Sequence, residues 1–459
     1  MESTATQSGL KPLVRLAYGI GDFGPSMAVN IHTVFLFFFL TEVAGVAPER
    51  VGALLLISKI CNAVMTLVVG PLSDRTPNSW GRRRIWMLAS APILGISFAL
   101  HWWVPPLVGW SQFVYYLAVA CTFQTSLSTF MVPYFALLTD LTEDSQEHIK
   151  LNSSRFSFAL AGSLTSLLVL QLLTYWFDEF TTPLQTMGII AGLVVIVSVG
   201  CCCFQTQERD PINCQSPPSP PLNLDTLRSL LGNHPLLLLS GIFAFSWGAI
   251  QITPAILPYF IIHNLELSSQ NIVTIVLCMK VTTFIALSVW QFMSQYMQKK
   301  GLLWLGMMLW LITNFGLFYM DAQHAYLIYV YGIVAGFGMA VAYLIPPSML
   351  PEVIDWDELR TGQRQEGLFN SILLFSQKIT FAFGLFAFGQ ILALSGFDEG
   401  NASNQQPILA LLFIRVLIVG LPNIALILGL ILTHFYPIDS DRHQHTLLQL
   451  QERRLSTPT

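Results

Sequence analysis

The sequence predicts an all-α polytopic membrane protein with twelve transmembrane helices in two six-helix bundles. The first observation is charge: 22 Lys plus Arg and 26 Asp plus Glu make 10% of 459 residues, against about 25% in soluble domains. The second is apolar content, 53% of the chain, gathered in blocks such as Ile85–Leu100, Met187–Phe204 and Ile408–Phe435. About 20 apolar helical residues at about 1.5 Å each cross a bilayer core of about 30 Å. The third is a polar stretch near mid-chain that divides these blocks into two sets. Together they exclude a soluble enzyme, a secreted disulfide scaffold and a disordered chain.

Hydropathy places the twelve spans at 16–41, 51–73, 85–104, 110–139, 153–176, 184–204, 233–262, 270–294, 301–319, 324–350, 367–396 and 407–435. The connection 205–231 carries Pro211, Pro217, Pro218, Pro220 and Pro221, a composition that favours an extended linker. The expected organisation is therefore a bundle over 1–204, a cytoplasmic linker over 205–231, a second bundle over 232–436 and a cytoplasmic tail over 437–459. Six spans, a linker and six spans form the layout of a duplicated transporter.

Basic residues orient the chain. With both termini cytoplasmic, that side holds Lys11, Arg15, Arg75, Arg82, Arg83, Arg84, Lys150, Arg209, Arg228, Lys299, Lys300, Arg360, Arg364, Arg442, Arg453 and Arg454, and the other side holds Arg50 alone. This is the positive-inside pattern of a multi-pass cell-membrane protein. Lys59, Arg155, Lys280, Lys378, Arg415 and Asp22 fall within spans. A charge in hydrocarbon costs at least a few kcal/mol, so these residues are expected to face partners or a water-filled cavity.

Polar stripes extend the same pattern. Span 1 aligns Asp22, Ser26 and Asn30, and span 2 aligns Lys59, Asn62 and Thr66. Span 7 offers Trp247 with Gln251, span 8 Lys280 with Thr283, and span 11 Asn370, Ser371, Gln377 and Lys378. A shared aqueous cavity for substrate and coupling ion accounts for these faces. Interhelical hydrogen bonding is the alternative for the neutral members. Asp22 is expected to pair with Lys59 or Lys378, because an unpaired buried charge is costly.

Other features bear little chemistry. A net charge of −4 gives no attraction for nucleic acid. Cys201, Cys202 and Cys203 lack metal-ligand spacing and are expected to pack at a helix end. Met1–Gly9 has no basic leader region, and the sequons at Asn152 and Asn401 add nothing. With no phosphate loop, nucleophile triad or metal cluster, neither an enzyme nor a cofactor is expected.

The segment Gly70-Pro-Leu-Ser-Asp74-Arg75, followed by Gly81-Arg82-Arg83-Arg84, resembles the signature loop of the major facilitator superfamily. Tyr18-Gly-Ile-Gly-Asp22-Phe-Gly, Val132-Pro-Tyr-Phe-Ala-Leu-Leu-Thr-Asp140 with Glu143-Asp144 and Arg155, and Met349-Leu-Pro-Glu-Val-Ile-Asp355-Trp-Asp357-Glu with Gly367 and Lys378 narrow it. Together they resemble the glycoside–pentoside–hexuronide:cation symporters, the family of melibiose permease and a distant relation of the lysophosphatidylcholine symporters. The resemblance implies the major facilitator fold, alternating access, and a sugar-like solute carried with a cation. It also implies a cytoplasmic gate built from Asp74, Arg75, Arg82, Arg83, Arg84, Asp140, Arg155 and Asp355, with Asp74 meeting the arginine cluster and Asp140 meeting Arg155.

The sequence departs from that family where ions and sugars bind. The two cation-binding aspartates of span 2 align with Asn62 and Thr66, and the sugar-binding ones with Ser26 and Met131. Asp22, Lys59, Arg155 and Lys378 remain. The expectation is a secondary transporter, symporter-like, for a small polar solute such as a sugar or glycoside. A carrier of an anionic or lysolipid-like solute, a uniporter and a transport-dead sensor are the alternatives. Sodium lacks its carboxylates, so a proton at Asp22 is the expected coupling ion.

Overall fold

The structure is a computed structural model that describes residues 10–76, 78, 80–142, 145–177, 181–208, 232–362, 366–398 and 406–456. The prolines of the linker, Arg209, Arg228, Glu143, Asp144, Arg364 and Asn401 lie outside the described residues. The chain forms two compact units, Met1–Val46 with Ala53–Pro217, and Ala47–Gly52 with Pro218–Thr459.

The first unit holds α1 (Pro12–Ile20), α2 (Phe23–Phe38), most of α3 (Pro48–Asp74), α4 (Arg84–His101), α5 (Trp110–Leu141), α6 (Ser145–Trp176) and α7 (Thr181–Gln205). The second holds α8 (His234–Tyr259), α9 (Ser269–Met293), α10 (Lys299–Phe318), α11 (Leu327–Thr361), α12 (Glu366–Leu394), α13 (Ile408–Phe435) and α14 (Ser440–Ser456). No strand occurs among the described residues. In the first unit α2 packs on α6 and α7, and α4 on α5 and α7. In the second, α8 packs on α12 and α13, α11 on α9 and α10, and α14 on α11.

Eleven described helical segments are long and apolar enough to cross a membrane. The twelfth expected span is α5, 32 residues long but diluted by Gln112, Thr122, Gln124, Thr125, Ser126, Ser128 and Thr129. Ser126 and Thr129 donate to the carbonyls of Thr122 and Thr125, both at 2.8 Å, so these hydroxyls satisfy themselves on the helix. Exposed Trp103, Trp110, Tyr175, Trp176, Tyr319 and Tyr326 stand near span ends, as interfacial aromatics do.

Three spans differ from their expected bounds. The first breaks at Gly21-Asp22, because Pro25 has no N–H for the Gly21 carbonyl and the Asp22 amide bonds Gly19 instead, 3.0 Å. A side chain at Gly24 would meet the α7 backbone at Val195, 2.6 Å away, so only glycine lets α2 approach there. The fifth span begins earlier, at Ser145, and the tenth runs to Thr361 through Pro346, Pro347 and Pro351. Prolines are tolerated where neighbouring groups satisfy the freed carbonyls. Asp355 is therefore on a helix, and the expected tail contains α14.

The first transmembrane helix of each unit ends in the same turn. Phe39–Val43 and Phe260–Asn264 are π-helical. Ala44 N–H donates to Phe39 and Val46 N–H to Leu40 (2.9 and 2.8 Å), while Leu265 donates to Phe260 and Leu267 to Ile261 (both 3.1 Å). Gly45 (φ 66°) and Glu266 (φ 55°) hold the matching left-handed position. The duplication is thus visible in the backbone.

Candidate functional site

Polar chemistry in the first unit begins at the break in the first span. Asp22 is buried, accepts the Ser26 hydroxyl at 3.0 Å, and lies 3.5 Å from the Arg155 guanidinium of α6. Arg155 also stacks over Phe135 and Phe156, at 4.8 and 4.3 Å. Tyr134 and Tyr18 stack beside this pair with ring centroids 4.8 Å apart, the Tyr134 hydroxyl donating to the Tyr18 carbonyl at 2.6 Å. This corrects two expectations. Within the first unit the cation that meets Asp22 is Arg155, not Lys59, and Arg155 does not meet Asp140.

The other polar faces are mostly structural. Asn30 donates to Ser163 O and Ser166 Oγ of α6, at 3.1 and 3.0 Å. On α3, Asn62 donates to the Gln124 carbonyl of α5 at 2.9 Å, its own carbonyl accepts from Ser128 at 3.0 Å, and Thr66 meets Ser128 at 3.2 Å. The positions that align with cation-binding aspartates thus tie α3 to α5. Lys59 is half-buried on α3.

The arginine-rich end of the first unit forms one network. Arg83 lies 2.9 Å from Asp140 and 3.5 Å from Asp74, and Arg82 lies 3.3 Å from Asp140. Burial pushes the Arg83 guanidinium below the usual arginine range, while Asp140 and Asp74 oppose that shift. Arg84 donates to the Cys203 carbonyl at 2.7 Å, and Arg75 is exposed. Sequence reasoning missed Glu208, whose carboxylate accepts the backbone N–H groups of Arg82, Arg83 and Arg84 at 3.0, 3.0 and 3.1 Å. It caps α4, where the helix dipole favours an anion. A side chain at Gly81 (φ 117°) would strike that carboxylate.

In the second unit Lys280 and Thr283 of α9 line a narrow cavity, as their shared face anticipates. The remaining walls are Tyr343 and five apolar residues: Ile250, Pro254, Val276, Met279 and Met339. Thr283 spends its hydroxyl proton on helix carbonyls, bonding Met279 at 2.7 Å and Gly336 at 3.0 Å. Trp247 meets Tyr343 edge-on at 4.9 Å, with its indole N–H buried and unbonded among the described residues. Gln251, Gln377 and Lys378 are half-buried and Asn370 is exposed; none lines this cavity. Tyr343 was missed, although it stands one turn beyond Met339 on α11. Asp355 meets His443 of α14 at 3.1 Å, and Glu352 meets Lys299 at 2.7 Å.

Twelve spans in two units, with a basic clamp at the start of α4, define a major facilitator transporter. The fold is like that of a bacterial homologue of the human lysosomal transporter Spinster, with TM-score 0.68 at 13% identity over 96% of this chain and 99% of that one. The chain belongs to the family described as MFS/sugar transport protein, whose family model matches residues 17–440. It is 32% identical to the uncharacterized symporter sll1374 of Synechocystis over 99% of both chains. It is 26% identical to the sphingosine-1-phosphate transporter MFSD2B of Mus musculus, over 97% of this chain and 93% of that one.

Proposed function

We propose that the protein is a proton-coupled symporter of an amphipathic anion, working by alternating access in the cell membrane with both termini cytoplasmic. The observation that carries this reading is the cavity of the second unit. Its one cation, Lys280, stands with Thr283 and Tyr343 among five apolar walls. At about 20 Å³ the cavity holds little more than a water in this conformation; opened during alternating access, it would present Lys280 to a phosphate or carboxylate headgroup and its apolar wall to an alkyl chain. A sugar is usually held by several acceptors, and here the side-chain acceptors are the hydroxyl oxygens of Thr283 and Tyr343 alone, with neither carboxylate nor amide. The mouse relative's cargo, sphingosine-1-phosphate, is itself an amphipathic phosphate. A sugar is the second reading, favoured by the family's description.

The basic residues gathered at one set of connections support the orientation. The Arg82–Arg83–Asp140–Asp74 network serves as the gate, with the Lys299–Glu352 pair its counterpart in the second unit and Asp355 beside it on α11. A proton replaces sodium because Asn62 and Thr66 are engaged with α5 and carry no charge. Thermal stabilisation by dodecyl phosphate against a panel of sugars and glycosides tests the cargo, since a ligand of the folded state raises its stability. Stabilisation by a sugar alone overturns the anion reading. Proteoliposomes under separate sodium and proton gradients test the coupling. Sodium-driven accumulation refutes the proton, and counterflow without accumulation indicates a uniporter. Binding without any flux indicates a sensor.

A further inference from the structure

Two thiols meet inside the first unit. Cys61 of α3 and Cys121 of α5 lie with their Sγ atoms 3.6 Å apart, and both are free and half-buried. Cys61 stands midway along α3 (Pro48–Asp74), so the pair lies deep in the span rather than at its aqueous ends. Exposed Ile57, Ile60 and Val64 on α3, and Val114 on α5, give this seam an apolar, lipid-facing side. Farther along the seam Asn62 donates to the Gln124 carbonyl at 2.9 Å, and Thr66 meets Ser128 at 3.2 Å. These contacts advance together along both helices, toward the ends that carry Asp74 and Asp140. Packing as a small hydrophobe is the ordinary use of a buried cysteine, and it asks for no second thiol in contact.

We propose that Cys61 and Cys121 form a redox site, oxidised to an interhelical disulfide by hydroperoxides dissolved in the bilayer. Disulfide sulfurs are about 2.05 Å apart, so the pair needs to close by about 1.5 Å. Rotation of the two side chains about χ1 moves sulfur on that scale. In the first step one sulfur attacks the terminal oxygen of the hydroperoxide. The O–O bond breaks, the thiol becomes a sulfenic acid, and its proton leaves with the alkoxide as an alcohol. In the second step the other sulfur displaces the sulfenic hydroxyl, which departs as water with that thiol's proton. Two thiols are thus oxidised and one hydroperoxide is reduced. The apolar seam selects the oxidant, because lipid hydroperoxides partition there and hydrogen peroxide prefers water. The consequence for transport rests on the reading of the arginine network as the gate. Arg83 is held from two helices, by Asp74 at the end of α3 and by Asp140 on α5. A covalent tie earlier in both helices fixes α3 against α5 and keeps both carboxylates on Arg83. Oxidation is therefore a brake on the gate, and reduction releases it.

Purified full-length protein in nanodiscs, treated with cumene hydroperoxide, tests the site without any cargo. Peptide mapping without reductant should show Cys61 joined to Cys121, with the loss of two hydrogens reversed by dithiothreitol. Cys278, half-buried and the one cysteine described in the second unit, is the internal control and should enter no disulfide. Cys61→Ser and Cys121→Ala should each lose the cross-link. A pair that stays two thiols, or that oxidises separately to sulfinic acids, overturns the proposal. Hydrogen peroxide at the same concentration should close the pair more slowly, and faster closure overturns the bilayer-borne oxidant. Hydrogen–deuterium exchange reads the brake. The amides of Arg82, Arg83 and Arg84 should exchange more slowly in cross-linked than in reduced protein, with no such difference in treated Cys61→Ser. Unchanged exchange in fully cross-linked protein overturns the brake. Failure of the gate reading shows separately, as normal turnover in Asp140→Asn, and the mapped cross-link still decides the redox site.

Discussion

In the first unit Asp22 meets Arg155, and Asp140 meets Arg82 and Arg83, whereas in the second unit Lys280 stands in a cavity with no carboxylate partner among the described residues. Both units keep the π turn and a cation–carboxylate clamp between their third and fourth spans: Arg83 with Asp140, and Lys299 with Glu352. Duplication has retained the backbone and the clamp while the interiors diverged. Charges paired with one another, as Asp22 is with Arg155, offer little to a charged solute. A cavity lined by Lys280 and apolar walls offers a place for an anion. On the proposed reading, the first unit gates and holds, and the second recognises.

The largest effect expected from this division is at Lys280. Hydrogen bonds to charged groups contribute about 1.5–3 kcal/mol, so Lys280→Met should weaken dodecyl phosphate binding by about 10- to 150-fold. Asp140→Asn, on the gating side, should leave that affinity unchanged and slow turnover. Calorimetric titration of both variants checks this, and equal losses of affinity would remove the distinction between the units.

The two clamps should differ next. Arg82 and Arg83 side chains are 6% and 7% exposed, while Lys299 is 39% exposed. Removing one member of a buried pair strands a charge and costs about 3–5 kcal/mol. Removing a partner of an exposed cation costs about 0.2–1 kcal/mol, because solvent screens it. Asp140→Asn should therefore lower the Tm far more than Glu352→Gln. Comparable shifts would mean that the clamps are energetically alike.

The π turns provide a smaller and paired test. Both need a left-handed residue, supplied freely by Gly45 and at a cost by Glu266. Gly45→Ala should destabilise by about 1–2 kcal/mol and Glu266→Gly should stabilise by about 1 kcal/mol. Opposite signs in thermal unfolding support the equivalence of the two turns, and equal signs oppose it.

Much of this architecture was legible in the sequence because long apolar blocks and basic loops report directly on the bilayer. The signature loop likewise pointed to Asp74, Arg82 and Arg83. What stayed hidden depends on which helix faces which. Asp140 lies just before α6 in sequence and Asp22 far from it, and only packing decides that Arg155 takes Asp22. Glu208 reads as the start of a polar linker until the α4 amides are seen to converge on it. Cys61 and Cys121 lie on different helices and share no motif, so their contact is a tertiary fact. Hydropathy alone also undervalues α5, whose hydroxyls satisfy themselves on its own carbonyls.

The smallest effect expected is a pH response at the ion pair that joins α1 to α6. Glu147 accepts Arg15 Nε and Nη2, both at 2.8 Å, and Lys150 Nζ at 3.0 Å. The Lys150 hydrogen bond and then the Arg15 contacts hold its carboxyl below the usual glutamate range, against the opposing pull of desolvation. A carboxylate with a lower pKa in the folded state than in the unfolded state stabilises the fold fully above the unfolded value, about 4.3. That contribution fades as pH falls through the lower, folded value. The Tm difference between wild type and Glu147→Gln should thus be constant above about pH 5.5 and shrink as the solution is acidified past the ordinary glutamate range. A Glu147→Gln difference that persists unchanged into acid would show that the side chain acts there through packing rather than charge.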